Sequence, residues 1–224
     1  MNVILTGATG MVGEGVLAEC LRDEQIQQVL VINRKPSGFQ HPKLKELLVA
    51  DFSDFSGVEE ELKGYDAAFL SMGVSSMGLN EEEYTYLTYN LTMALARPLE
   101  RLNPDMTLCY VSGQGTDSSE KGRIMWARVK GKTENDLMNM SFKQVFAFRP
   151  GGMQPEKGAK NIKRIYRFFI PLMPFFRVLF PGSMSTLRDL ALAMIHVSRH
   201  GYQTQVIEVK DLKNIAKLEL QKGN

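Results

Sequence analysis

Val3-Ile4-Leu5-Thr6-Gly7-Ala8-Thr9-Gly10-Met11-Val12-Gly13 is the stretch on which the fold turns. Its three leading apolar residues form a short buried strand, and from Met11 to Leu21 apolar residues recur at helical intervals. A second apolar run, Val29-Leu30-Val31-Ile32, follows the helix and completes a β-α-β unit. The glycines of such a first turn have separate tasks. Gly7 permits the turn, Gly10 lets a ligand approach the backbone, and Gly13 lets the helix pack tightly on the strand. A dinucleotide pyrophosphate meets helix amides at this place, so Thr9, Met11 and Val12 join the glycines as cofactor-binding candidates. A turn that merely connects strand to helix is the alternative.

The same grammar continues outward. Leu47-Leu48-Val49 reads as a third strand, Val58 to Leu62 as a short helix, and Ala67 to Leu70 as a fourth strand ending at Ser71-Met72-Gly73. Glu81 to Leu102 has helical spacing, with Pro98 as a kink or stop. Met106 to Val111, Ile124 to Met138 and Val145 to Phe148 add a strand, a helix and a sixth strand, closed by Arg149-Pro150-Gly151-Gly152. A helix from Thr186 to His200 and a strand from Val206 to Val209 come last. Repeated alternation predicts an α/β, Rossmann-type doubly wound parallel sheet with helices on both faces and a small C-terminal substrate lobe. One domain over 1–224 is expected, with 1–150 as the dinucleotide-binding core and 151–224 as the substrate-region extension.

Composition narrows the function classes. The 224 residues carry 27 Lys plus Arg against 25 Asp plus Glu, a net charge of +2 that gives no general attraction to nucleic acid. The 44% hydrophobic content excludes disorder, and two cysteines, Cys20 and Cys109, exclude a disulfide scaffold. With no secretory signal legible before Val3, a cytoplasmic protein is the expectation.

The end of the second strand bears on the choice of cofactor. NAD enzymes place an acidic residue there for the ribose hydroxyls, whereas this chain has Asn33, Arg34 and Lys35. A guanidinium can hold a 2′-phosphate bidentately, so NADP(H) is favoured over NAD(H). Solvated loop charges are the alternative for Arg34 and Lys35.

Further stretches carry a family resemblance. The spacing G-x-x-G-x-x-G after Thr6, Phe69 to Gly73, Tyr110-Val111-Ser112, Val129-Lys130-Gly131-Lys132-Thr133-Glu134, Phe148 to Gly151 and Ile207 to Leu212 together resemble the short-chain dehydrogenase/reductase superfamily. The similarity is to its atypical branch, the Tat-interacting-protein-like oxidoreductases and NAD-dependent epimerase-like proteins, with Ile207 to Leu212 as the closing strand and turn. The resemblance implies a bound dinucleotide, with Asp51 and the adjoining Phe52 near the adenine and Ser71, Met72, Gly73 and Pro150 along the cofactor. It also implies Ser, Tyr and Lys beside the nicotinamide, the phenol exchanging the proton and Lys holding the ribose. Lys130 takes the Lys position and Ser112 the Ser position, but the Tyr position is occupied by Trp126. An indole has no accessible ionisation, so Trp126 cannot replace a phenol that a neighbouring ammonium would activate. Tyr84, Tyr86, Tyr89 and Tyr110 are other candidates for the proton.

Two functions therefore stay open. One is an NAD(P)(H)-binding oxidoreductase or epimerase acting on a small carbonyl or sugar-like substrate. The other is a catalytically weak or inactive NADP(H)-binding sensor. The basic-aromatic segment from Lys157 to Phe180 reads as core packing, a substrate lid, a homodimer surface or, least favoured, a membrane-surface contact. His196 and His200 stand four apart on a helix, but no third ligand accompanies them and no metal is expected.

Overall fold

The structure is a computed structural model that describes residues 1–154 and 184–222. The basic-aromatic segment from Lys157 to Phe180 lies outside the described residues, and with it the readings of a lid, a dimer surface and a membrane contact.

Seven parallel strands form one sheet: β1 (Asn2–Thr6), β2 (Gln28–Asn33), β3 (Leu44–Leu48), β4 (Ala67–Leu70), β5 (Thr107–Val111), β6 (Gln144–Arg149) and β9 (Val206–Glu208). Their order is β3-β2-β1-β4-β5-β6-β9. A small second sheet pairs β7 (Gly152–Gln154) with β8 (Met184–Thr186). The helices are α1 (Met11–Arg22), α2 (Glu81–Thr85), α3 (Leu91–Leu102), α4 (Met125–Met138), α5 (Leu187–His200) and α6 (Val209–Lys222). This is the Rossmann-type α/β fold that the strand and helix alternation predicts.

Strand periodicity sorts the core into two halves. Val3, Leu5, Val29, Val31, Phe69, Cys109 and Phe146 face one side, where Val16, Leu17, Leu190, Met194, Leu212 and Ile215 from α1, α5 and α6 cover them. Ile4, Leu30, Ile32, Leu70, Leu108 and Val145 face the other, against Leu95, Leu99 and Leu137 from α3 and α4. Because both faces are covered, the central strands read as continuous apolar runs.

Four elements differ from the sequence reading. β3 is the edge strand and begins at Leu44, three residues early, because Val29 to Asn33 pair with Leu44 to Leu48. Lys45 and Glu46 are exposed within it, which hides its periodicity. The short helix before β4 is a 3-10 helix, Ser56–Leu62. Pro98 does not stop its helix: α2 passes through a π-turn, Tyr86–Asn90, into α3, which closes when Asn103 N–H bonds the Leu99 carbonyl at 2.9 Å. The chain after β9 is no closing turn, because α6 starts at once and buries Leu212, Ile215 and Ala216 at helical spacing. β9 joins the seven-stranded sheet, and α5 and α6 share its core, so residues 187–200 and 206–222 pack with the dinucleotide-type sheet.

Candidate functional site

Strand order reverses between β1 and β4, and in open α/β sheets the crevice at the carboxyl ends of such strands receives ligands. The first turn is shaped for close approach there. Gly7 has φ +77°, and a Cβ on it would lie 2.6 Å from the Ser71 carbonyl oxygen. A Cβ on Gly13 would lie 2.2 Å from the Gly7 carbonyl oxygen, so only glycine lets α1 sit against β1. Gly10 N–H bonds Gly7 O at 2.8 Å and closes the turn. Thr9 and Gly10 are exposed, and no side chain caps α1, so the amides of Met11, Val12 and Gly13 begin the helix without a side-chain partner.

Three buried polar atoms at adjacent strand ends have no hydrogen-bond partner among the described residues: Thr6 Oγ1 on β1, Asn33 Nδ2 on β2 and Ser71 Oγ after β4. Buried polar groups are nearly always bonded, so this cluster marks the edge of the sheet where a polar ligand would be satisfied. Met72 beyond it is half-buried and Gly73 exposed. Arg34 and Lys35 are exposed, and Arg34 makes no ion pair among the described residues. Asp51 is exposed and accepts from Ser53 Oγ and N–H at 2.7 and 2.8 Å, bonds that hold its carboxyl below the usual range. Phe52 packs edge-on to Phe55 in the core.

Two of the three catalytic candidates, Ser112 and Lys130, meet at the end of β5. Lys130 on α4 donates from Nζ to the Ser112 carbonyl at 2.6 Å, and Ser112 N–H bonds Phe148 O at 2.8 Å. Pro150, next to this ladder, accepts from Gln114 N–H at 2.9 Å. Gly131 allows the approach of α4, since a Cβ there would lie 1.8 Å from the Asp117 carbonyl. Trp126, one turn before Lys130, is half-buried with its ring beside Gly115. The Ser112 hydroxyl is buried and donates to Glu134, lying also 3.0 Å from Phe148 O. Burial pushes the Lys130 ammonium down to about 8, with the Glu134 carboxylate opposing the shift.

Glu134 is a site residue that reading the sequence did not single out. It is 1% exposed, and Arg149 holds it through Nε at 3.1 and 3.2 Å and Nη2 at 2.5 Å, while Arg149 Nη1 reaches Glu208 at 3.3 Å. The available signal was its spacing: four residues after Lys130, it shares that helix face.

The tyrosines are less well placed. Tyr84 and Tyr110 are sealed in the core, where burial raises both phenols, and Tyr89 donates to Asp136 at 2.6 Å. Tyr86 is exposed. The histidine pair does have a third neighbour: Glu219 on α6, with one ligand atom from each of the three lying within 4.8 Å of the others. Its carboxylate is already shared between His196 Nδ1 and Arg199, both at 2.7 Å.

Protein FMP52-2, mitochondrial, of Scheffersomyces stipitis is 24% identical over 159 residues, 70% of this chain and 68% of that protein. Leucinostatins biosynthesis cluster protein T of Purpureocillium lilacinum is 29% identical over 143 residues, 62% of this chain and 52% of that protein. Among solved structures, the Bordetella bronchiseptica enzyme WbmF in complex with NAD+ superposes with a TM-score of 0.67 at 14% identity, covering 98% of this chain and 77% of that one. The cytoplasmic expectation is corrected here: the FMP52 relatives from Scheffersomyces stipitis, Meyerozyma guilliermondii and Emericella nidulans are named as mitochondrial. Two buried thiols carry no information on compartment, because the fold itself shields them. The FMP52-like relatives fit an atypical short-chain branch, and the model of the NAD dependent epimerase/dehydratase family matches residues 3–117, just over half of the chain and the whole of the glycine turn, so the protein belongs to that family.

Proposed function

We propose that the protein is an NADP(H)-preferring oxidoreductase or epimerase of atypical short-chain type, acting on a small carbonyl or sugar-like substrate. The carrying observation is the first turn, where no Cβ fits at Gly7 or Gly13, Thr9 and Gly10 are exposed and no side chain caps α1. Gly7, Thr9, Gly10, Met11, Val12 and Gly13 would hold the pyrophosphate. Asn33, Arg34 and Lys35 would take the adenosine ribose with its 2′-phosphate, and Asp51 the adenine. Ser71, Met72, Gly73 and Pro150 would flank the dinucleotide, and Lys130 would reach its second ribose. When bound, the nicotinamide supplies a hydride donor or acceptor. Structural neighbours in complexes with NAD+ and NADH support a nicotinamide cofactor on this fold, and the preference for NADP(H) rests on Arg34 and Lys35.

Fluorescence titration with NADPH and NADH tests the reading. Saturable binding that is tighter for NADPH is expected, with the difference abolished in Arg34→Ala. No saturable signal with either nucleotide would sink it.

A second reading, a nucleotide-binding protein without efficient turnover, is favoured by Trp126 and by the committed Ser112 hydroxyl. Binding without NADPH oxidation across a carbonyl panel, together with activity gained in Trp126→Tyr, would decide for it.

A further inference from the structure

A carbonyl reduced at this site needs a proton on oxygen as well as a hydride on carbon, and the usual donor is missing. Trp126 has no exchangeable proton of suitable acidity. The single Ser112 hydroxyl proton is directed at the buried Glu134 carboxylate. Tyr84 and Tyr110 are sealed in the core, and the Tyr89 hydroxyl is bound to Asp136. Tyr65 accepts from Gln28, the first residue of β2, at the amino ends of the strands and so opposite the crevice, and Tyr202 bonds Asp211 at 3.2 Å. Among the phenols and ammonium groups of the described residues this leaves the exposed Tyr86 and Lys130, and of the two it is Lys130 that rests on Ser112. One of its three N–H groups goes to the Ser112 carbonyl, and the other two have no partner among the described residues.

We propose that Lys130 itself exchanges the proton with the substrate oxygen, with Glu134 as the positioning residue that sets its charge. The inference rests on the oxidoreductase reading above. In reduction, the carbonyl carbon gains a hydride from the reduced nicotinamide nucleotide and the C=O π pair moves onto oxygen. That oxygen takes a proton from the Lys130 ammonium, forming the alcohol. The amine left behind regains a proton from water, so the net change is one carbonyl, one reduced nucleotide and one proton consumed. Oxidation runs the same transfers in reverse.

The electrostatics suit a group that must exist in both forms. Burial makes the neutral amine accessible near pH 8, which a surface lysine would reach only well above that. The charged groups around this end of α4 are Glu134 and Arg128 on the helix, Asp117 in the loop after β5, Arg149 from β6 and Glu208 from β9. Glu81 from α2 is paired to Arg128 at 2.7 Å. Of these, Glu134 acts on Lys130 and favours its protonated form. Its carboxylate also fixes the Ser112 hydroxyl, on the residue whose carbonyl receives Nζ.

Two measurements test the proposal on the full chain. Trace acylation across pH reads the neutral amine of every lysine. Lys130 is expected to label with a midpoint near 8, apart from the other lysines, and bound NADPH is expected to protect it. In parallel, NADPH oxidation by phenanthrenequinone, an aromatic dicarbonyl probe, is followed against pH. With an ammonium as the acid, kcat/KM falls as pH rises through that midpoint. Glu134→Gln moves the fall to lower pH, because the group favouring the charged form is gone. Lys130→Arg keeps the positive charge but has no neutral form, and is expected to lose at least a hundredfold in kcat while still binding NADPH. Tyr86→Phe and Tyr166→Phe, which remove the exposed phenol and the one phenol of the sequence that lies outside the described residues, are expected to keep wild-type turnover.

Labelling of Lys130 together with the other lysines overturns the proposal, as do turnover retained in Lys130→Arg and turnover lost in either Tyr variant. A protein that binds NADPH yet oxidises none of it at any pH overturns the proton transfer and leaves nucleotide binding intact. Failure to bind NADPH at all overturns the reading beneath it. Should Glu134→Gln not fold, Lys130→Arg and the labelling midpoint decide alone.

Discussion

Replacing Gly13 by alanine is the sharpest probe of the first turn. The added Cβ would sit 2.2 Å from Gly7 O, 2.4 Å from Gly7 C and 2.8 Å from Ala8 N. All three are backbone atoms, so no rotamer change relieves them. Reaching ordinary contact at 3.4 Å requires a shift of 3.4 − 2.2 = 1.2 Å between α1 and the turn. Forced overpacking costs about 1–3 kcal/mol, and rigid backbone neighbours put this site near ~3. Alanine returns roughly 1 kcal/mol of helix propensity, leaving a net loss of about 2 kcal/mol. For a chain of this length that is a fall in Tm of roughly 4–8 °C. Displaced amides would also lose charge-assisted bonds to phosphate worth about 1.5–3 kcal/mol each, so NADPH should bind at least tenfold more weakly. Gly10→Ala is the control, because its Cβ meets only Gly7 O, at 3.3 Å. It should cost about 1 kcal/mol or less in stability, the loss of a good N-cap, while still crowding the nucleotide. Denaturant unfolding and NADPH fluorescence titration on both variants give the two numbers. A Gly13→Ala protein with the wild-type unfolding midpoint and NADPH affinity within twofold of wild type would refute the reasoning.

Three further outcomes are expected. Glu134→Ala leaves the Arg149 guanidinium buried with Glu208 as its one carboxylate partner among the described residues, beside the Ser118 hydroxyl, and should cost about 3–5 kcal/mol, whereas Glu134→Leu with Arg149→Met should cost less than the sum of the singles; strictly additive unfolding energies would show that the two do not interact. Both cysteines are buried, and burial raises their thiols, Cys109 to about 12, so neither should react with a thiol reagent at neutral pH until the protein unfolds. Rapid modification of the native protein would contradict the packing of both. Leu212→Ala removes a fully buried side chain of α6 and should destabilise by about 2–5 kcal/mol; a change below about 0.5 kcal/mol, the range of a surface substitution, would mean that α6 is not part of the core.

Much of the fold was legible because its signals are local. Val3-Ile4-Leu5 and Val29 to Ile32 are continuous apolar runs, as buried parallel strands must be, and the three glycines lie within seven residues of one another. β3 was misplaced because an edge strand exposes Lys45 and Glu46 and so loses the pattern. α6 was missed because its apolar positions, Leu212, Ile215 and Ala216, are interspersed with Lys and Asn, and their burial depends on α5 lying beneath them.

The candidate site divides in the same way. From its own residue order the chain determined the glycine turn, the cationic pair after β2, and the substitution of Trp126 for a phenol four residues before Lys130. Those facts need only neighbouring positions and the chemistry of their side chains. Tertiary structure alone decided that the Ser112 hydroxyl faces Glu134, that Arg149 and Glu208 close the network, and that Lys130 rests on the Ser112 carbonyl. Glu134 and Arg149 are 15 residues apart and Arg149 and Glu208 are 59 apart, with no periodicity linking them. Strand order brings β6 between β5 and β9 and so carries Arg149 into the reach of both carboxylates. Burial, which is a property of the packed sheet and helices, then sets the charge that Lys130 can give up.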